Sequence, residues 1–340
     1  IGDDDAFGDE GAGAGWAWDD LAFSYSAVAS ALQFNQNSAQ LRIAPGAAVG
    51  TPAVITLTPP YADVSIRAIV MTDAADTPVS LTIGPGVRQG AIEVGGVVPL
   101  RRDVVARNVA VTNPTLYFAR AVREGLRAAG IVVRGEAVDV DDLPERPSVD
   151  RAVTLMVHRS PTLASLADTM MKLSQNLYAE TLLRTVAMQQ SGLGTASEGL
   201  TIVKDVLGTW GIDPAEVLIA DGSGLSRYNL VTPRAFVALL AHVYGDARLR
   251  DGFIASLPVA GRTGTLAQRL KGTRADGAVQ AKTGSFSNAR AIAGFTKTAD
   301  GEPVAFSIIA NNYGGPAAAV DRVTDAIVAS ITELRRPAVR

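Results

Sequence analysis

The sequence predicts an α+β protein, on three observations. Short runs rich in Val, Ile and Thr, broken by Gly, Pro and Asp, fill residues 53–111. Helical spacing of apolar residues, led by Asn-Pro, Ser-Pro and Thr-Pro steps, takes over after residue 112. The chain then closes on three strand-like runs and one amphipathic helix, the pattern of an antiparallel sheet covered by a terminal helix.

Residues 1–48 are rich in Gly, Ala, Asp and aromatics and show no long period. Within them, Asp3-Asp4-Asp5-Ala6-Phe7-Gly8 does not make a calcium loop. Phe7 stands where an oxygen ligand belongs and Ala14 where the closing Glu belongs, so an acidic surface turn is expected. Trp16 and Trp18 are expected to pack rather than to stack on a ligand. Ala53–Thr58, Val64–Met71, Val79–Ile83, Ala91–Val98 and Val104–Val111 read as strands of a small antiparallel module, punctuated by Pro59-Pro60, Gly84-Pro85-Gly86 and Gly95-Gly96. Asn113-Pro114 starts a helix that Gly130 can stop, with Leu116, Ala119, Val122 and Leu126 on one face. Asp139–Asp150 reads as a linker. Ser160-Pro161 and Thr232-Pro233 repeat the helix-start signal. Ala278–Lys282, Ala291–Thr296 and Val304–Ala310 are the closing strands, and Ala317–Leu334 is the closing helix. A chain of 340 residues exceeds one domain of about 100–200 residues. The expected division is residues 1–145 as accessory modules, largely β, and residues 146–340 as a second domain.

Composition removes several functions. Net charge is −3 with no basic patch or arm, which argues against nucleic acid as a partner. Cysteine is absent, so disulfides, thiol nucleophiles and cysteine metal sites are excluded. His158 and His242, the two histidines, lie outside any zinc spacing, so no metal or other cofactor is expected. His242 reads as a helix-surface residue. No apolar run approaches the ~18–20 residues of a transmembrane helix. The opening at Ile1, followed by an acidic run, carries the pattern neither of a start nor of a signal peptide, and further residues are expected upstream.

Two triplets bear chemistry: Ser174-Gln175-Asn176 between two helical segments, and Lys282-Thr283-Gly284 on a strand. Their order and placement resemble the second and third signatures of penicillin-recognising serine acyltransferases, whose first signature is Ser-x-x-Lys. Acyl transfer needs a base to take the serine proton and return it to the leaving amine, and without a histidine a lysine of lowered pKa can serve. The resemblance implies that Ser174 relays a proton to the leaving group and that Asn176 bonds the base and the substrate amide. Lys282 would supply positive potential for the substrate carboxylate, and Thr283 would bind that carboxylate. Gly284 would let the strand backbone approach the substrate, and the Ser285 N–H would form half of an oxyanion hole. As alternatives, Ser174 and Asn176 can simply cap the helix Leu177–Ala187, and Lys282 can be a surface lysine at a strand end.

Longer segments narrow the resemblance. Met170–Glu180, Ala220-Asp221-Gly222-Ser223-Gly224-Leu225-Ser226-Arg227-Tyr228-Asn229, Leu257–Gly261, Gly264-Thr265-Leu266 and Ala281–Ser285 occur in the order found in class C low-molecular-mass penicillin-binding proteins of the penicillin-binding protein 4 type. Gly15–Asp20 resembles part of the domains inserted in that family. The resemblance implies a penicillin-binding/transpeptidase-like, serine β-lactamase-like domain with mainly β insertions. It also implies a D-alanyl-D-alanine carboxypeptidase/endopeptidase outside the cytoplasm, with peptidoglycan stem peptides as substrates and β-lactams as acylating ligands. Arg227 is a candidate for the substrate groove, or belongs to a glycine-rich turn. Asp20 is a candidate for a substrate side-chain ammonium, or is an exposed acid beside Trp18. One departure is clear. Thr169, Thr201, Gln268, Val279 and Gly294 stand three residues before the five lysines, and none is serine. Thr169 lies on the helix leading into Ser174 and is not expected to be a nucleophile. The Ser-x-x-Lys segment is therefore expected upstream of Ile1, and this chain alone is expected to be inactive. The alternative is a non-catalytic protein that holds peptidoglycan as a binder or scaffold. A β-lactamase or esterase fits the inserted β segment less well.

Overall fold

A computed structural model describes residues 1–87 and 90–336. In chain order the strands and helices open with β1 (Ser38–Ala44), β2 (Val54–Thr58), β3 (Ser65–Asp73), β4 (Ser80–Pro85), β5 (Ala91–Pro99), β6 (Val105–Ala110) and α1 (Pro114–Ala128). They continue with α2 (Leu163–Leu173), α3 (Asn176–Ser191), α4 (Ala196–Thr209), β7 (Val217–Leu218), β8 (Leu230–Val231), α5 (Pro233–Gly245) and α6 (Arg250–Ser256). The last elements are β9 (Gln280–Phe286), β10 (Ala289–Lys297), β11 (Pro303–Asn311) and α7 (Ala317–Glu333). They form two compact units. The first takes residues 1–156, 179–200 and 220–228, and the second takes 157–178, 201–219 and 229–340. The chain passes from the first unit to the second after residue 156, and two later segments return to the first.

In the first unit, β2, β1 and β6 form one antiparallel sheet, and β3, β5 and β4 form a second, mixed sheet. Side chains alternate across a strand, so Leu41, Ile43, Val105 and Val109 of one sheet meet Val70, Ile92, Val94 and Val98 of the other in a shared core. β1 falls in the stretch where the sequence shows no long period, yet Ala39, Leu41 and Ile43 alternate inward and are buried. The expectation of an antiparallel module needs correction, because β3 pairs with β5 in parallel. β5 takes the centre of its sheet, with Ile92, Val94 and Val98 buried on its inward face.

α1 starts at Pro114, with the Asn113 side chain accepting from the Leu116 N–H. Its buried residues are Pro114, Thr115 and Tyr117, whereas Val122 and Leu126 of the expected face are exposed. The first turn is the most deeply inserted. Tyr117 packs among Ala39, Ala62 and Val111 and donates to the Ser38 carbonyl at 3.2 Å.

The expected acidic surface turn is wrong for Asp4, which is buried and accepts from Ser30 (2.8 Å) and Thr115 (2.5 Å). The expected linker is likewise tied down at its start. Gly2 donates to the Val138 carbonyl and accepts from the Val140 N–H, both at 2.8 Å. Asp9 is exposed, yet desolvation, with the charges of Asp141, Asp4 and Asp139, raises its pKa above the usual carboxylate range.

In the second unit, β11, β10 and β9 form an antiparallel sheet with β9 at one edge. One face carries Ala281, Ile292 and Phe306 against Val328 of α7. The other carries Ala293, Phe295 and Ala305 against Met171 of α2, Leu240 of α5 and Phe253 of α6. That second packing layer sets the C-terminal end of α2 over the face of β9 that bears Lys282. The N-cap of α2 is Thr162 rather than Ser160, because the Thr162 hydroxyl accepts from the Ser165 N–H. His242 is half-buried and stacks on Trp210, with ring centroids 4.4 Å apart.

Candidate active site

The sequence Met170-Met171-Lys172-Leu173 ends α2 without a glycine, and Ser174 takes the position where glycine is commonest. Ser174 is the C-cap in the left-handed conformation, φ 57° and ψ 49°, its N–H donating to the Met170 carbonyl. A serine held there costs on the order of 1 kcal/mol relative to right-handed backbone. The strain turns the chain sharply enough that α3 begins at Asn176, two residues later. The Ser174 part of the capping alternative fails, since Ser174 closes α2 through its backbone and leaves its side chain for another use.

That side chain meets Lys282, whose Nζ donates to the Ser174 Oγ at 2.7 Å. It also donates to the Thr283 carbonyl at 2.7 Å. Lys282 is therefore no simple surface lysine at a strand end. Partial burial, with desolvation as the cause, pushes its ammonium down from the usual lysine value to about 8. Lys172, the lysine nearest Ser174 in sequence, is instead bonded to Asp168 one turn back.

Lys282, Thr283, Gly284 and Ser285 lie along β9, opposite Ala293, Ile292, Ala291 and Arg290 of β10. Ala281 donates to the Pro258 carbonyl at 3.0 Å, and the Val279 carbonyl accepts from Ala260 at 2.9 Å. Residues 279 and 281 thus direct their backbone groups away from β10. Because these directions alternate along a ladder, Thr283 and Ser285 direct theirs to the same outer edge. The strand offers an added extended chain its N–H and C=O groups there, and Gly284 leaves its face low.

Thr283 Oγ1 donates to Thr265 Oγ1 at 2.7 Å. Thr265 belongs to the 3-10 turn Gly264–Leu266, whose Leu266 is fully buried. Gly264 has φ +59°, and a Cβ added to it would fall 2.6 Å from the Lys172 carbonyl oxygen. Glycine is needed there to bring the turn under the end of α2. The role of Thr265 was missed in the sequence, where Gly264-Thr265-Leu266 stands out only as one segment of the resemblance. Its signal, a hydroxyl following a glycine in a turn, is too common to single out.

The second unit therefore brings together Ser174, Lys282 and Thr283, with Asn176, Gly284 and Ser285 adjoining them in sequence. Asp20 and Arg227 belong to the first unit. Asp20 accepts from the Tyr25 hydroxyl at 2.8 Å, and Trp18 beside it is exposed, contrary to the packing expectation. Trp16 does pack, donating to Asp221 at 2.9 Å. Arg227 donates its N–H to the Gly15 carbonyl at 3.2 Å, on a loop organised by Asp221, which accepts from Gly224 (2.8 Å) and Ser226 (2.5 Å). Glu180, whose role the sequence also did not disclose, is buried and accepts from the N–H groups of Gly222 (3.0 Å) and Ser223 (2.8 Å).

The profile of the D-Ala-D-Ala carboxypeptidase 3 (S13) family matches residues 1–334. A D-alanyl-D-alanine carboxypeptidase of an Actinomadura species is 35% identical over 331 residues, which cover 94% of this chain and 60% of that protein. A crystal structure of penicillin binding protein 4 from Haemophilus influenzae superposes with a TM-score of 0.81 and 26% identity, covering 98% of this chain and 75% of the other. A second structure of that protein, complexed with a β-lactam, gives a TM-score of 0.75 and 26% identity over 90% of this chain and 71% of the other. The α+β, penicillin-binding fold implied by the resemblance is the fold found. The chain spans less than two thirds of the length of the curated relatives it matches, 60% for the Actinomadura protein.

Proposed function

This chain belongs to the D-Ala-D-Ala carboxypeptidase 3 (S13) family, and on that footing we propose that it is the larger part of a serine D-alanyl-D-alanine carboxypeptidase/endopeptidase. It acts on peptidoglycan stem peptides outside the cytoplasm and is acylated by β-lactams. The observation that carries this reading is the 2.7 Å bond between Lys282 Nζ and Ser174 Oγ, which joins the second and third signatures of such enzymes. We assign residues 1–145 to accessory modules and 146–340 to the catalytic domain. Among the described residues no helix is long and apolar enough to cross a membrane.

In the proposed reaction a serine oxygen attacks the carbonyl of the penultimate D-Ala, and its proton passes to a base lysine. The tetrahedral oxyanion is held by the Ser285 N–H and one further donor. The C–N bond then breaks, the Ser174 hydroxyl gives its proton to the departing D-Ala amine, and the base lysine restores it. Water hydrolyses the ester by the reverse proton path, or in a cross-link exchange an amine takes its place. Lys282, backed by the hydroxyl chain that starts at Thr283, holds the terminal carboxylate throughout. No lysine of the chain has a serine three residues before it, so the nucleophile and base are assigned to a segment upstream of Ile1.

A fluorescent penicillin followed by intact-mass spectrometry tests the reading. The 340-residue chain is expected to give no covalent adduct, and the full-length protein a stoichiometric one on the serine of a Ser-x-x-Lys. An adduct on Thr169 or any serine of this chain would refute the missing nucleophile. Absence of adduct and of turnover in the full-length protein would favour the peptidoglycan-binding scaffold instead.

The lowered pKa of Lys282 gives a second expectation. Its ammonium is complete well below pH 8 and is lost as pH rises through about 8. In the full-length protein, kcat/KM for carboxylate-terminated peptides should fall over that interval. Lys282→Ala should abolish the fall and lower kcat/KM at neutral pH about tenfold or more, since bonds to charged groups contribute about 1.5–3 kcal/mol. The carboxylate is present before and after attack, so KM and kcat should both suffer. A profile of unchanged shape in Lys282→Ala would remove Lys282 from carboxylate recognition.

A further inference from the structure

The direction of one hydrogen bond distinguishes Thr265 from the other hydroxyls around β9. Thr283 Oγ1 is the donor and Thr265 Oγ1 the acceptor, at 2.7 Å. The Thr283 proton is thereby used, while the proton of the exposed Thr265 has no acceptor among the described residues. A hydroxyl that accepts one bond becomes a stronger donor in the next, because the chain of O–H dipoles polarises in one direction. Its strongest partner is an anionic oxygen.

The turn that carries Thr265 is held from two sides. Leu266 is fully buried, its carbonyl accepting from Gly261 at 2.9 Å. Thr263 Oγ1 accepts from the Val259 N–H at 3.0 Å, and Gly264 closes against the Lys172 carbonyl. A donor on such a turn meets a ligand with little further loss of freedom.

We propose that Thr265 is a ligand-contacting, specificity-determining residue whose hydroxyl, at the end of the Thr283–Thr265 chain, binds the free α-carboxylate of the substrate together with the Lys282 ammonium. This rests on the carboxypeptidase function proposed for the site. Two hydroxyls in series and one ammonium make an anion subsite that favours peptides ending in carboxylate over peptides whose chain continues. The effect is preference for terminal residues over internal cross-links.

The test uses the full-length protein with an acylated D-Ala-D-Ala peptide as the free acid and as its C-terminal amide. Thr265→Val, which keeps the shape and removes the donor, should lower kcat/KM for the acid about tenfold, the size of one bond to a charged acceptor. Most of that loss should appear in KM, and the amide should be almost unaffected. Thr265→Ser should restore the acid. Equal losses on acid and amide, no loss on the acid, or no rescue by serine would overturn the proposal. Lys282→Ala separates the two levels. If it lowers the preference for acid while Thr265→Val leaves it intact, Thr265 alone has been misassigned. If the wild-type protein cleaves neither peptide, the underlying function has failed and the proposal with it.

Discussion

Replacing Ser174 with alanine in the full-length protein is expected to slow turnover of a D-Ala-D-Ala peptide by roughly 10²–10⁴-fold, the usual worth of a positioned proton-transfer group. Ser174 Oγ accepts from the Lys282 ammonium, which leaves its own proton without an acceptor among the described residues. A hydroxyl so placed can hand a proton on and be recharged, and the adjacent positive charge makes it more acidic. Alanine removes the relay while Lys282 keeps its bond to the Thr283 carbonyl and its place beside the ligand. Affinity should therefore change little. Single-turnover kinetics against equilibrium binding would separate the two effects. Weakened binding with an intact chemical step would reduce Ser174 to a structural residue.

Glu180→Ala is expected to cost about 3–5 kcal/mol of stability, the range for breaking a buried ion pair from one side. Glu180 and Arg184 are each only 3% exposed at the side chain and pair at 3.2 Å. The substitution also strips the acceptor from two loop N–H groups, those of Gly222 and Ser223. Arg184 would keep Glu10, at 3.5 Å, and the backbone carbonyl of residue 180, at 3.4 Å, and its Nε has no partner among the described residues. A loss of this size is a large part of a typical domain's 5–15 kcal/mol. Denaturant unfolding would measure it. Glu180→Gln, which keeps a side-chain oxygen acceptor but not the charge, should fall between wild type and Glu180→Ala, and an unchanged midpoint in Glu180→Ala would show that the pair stabilises nothing.

Local signals were enough where the chemistry is local. Asn113-Pro114 and Thr232-Pro233 mark true helix starts because a short polar side chain and a missing N–H act within one turn. The three closing strands and the helix over them were legible from alternation and amphipathic spacing. The pairing of Ser174 with Lys282 was legible as motifs, since each triplet is an unbroken run, but their contact depends on α2 packing against the sheet. Elsewhere the deciding contacts are long-range. Nothing near β3 says that its partner is β5, and nothing near Asp4 says that Thr115 will bury it. Thr265 and Glu180 act through partners 18 and 42 residues away in sequence, beyond the reach of any local pattern.

The division of the chain into interleaved units bears on how the protein is made. The first unit needs residues 179–200 and 220–228 as well as 1–156. On a ribosome moving at about 5–20 residues per second, its opening stretch would wait roughly 4–14 s for those segments to be synthesised. Early in that interval Arg184, the ion-pair partner of Glu10, and Gly194, which bridges to Phe7, do not yet exist. Nascent chains would thus pass through a stage in which a finished β sandwich carries an unfinished flank, the stage at which a holdase would have most to shield.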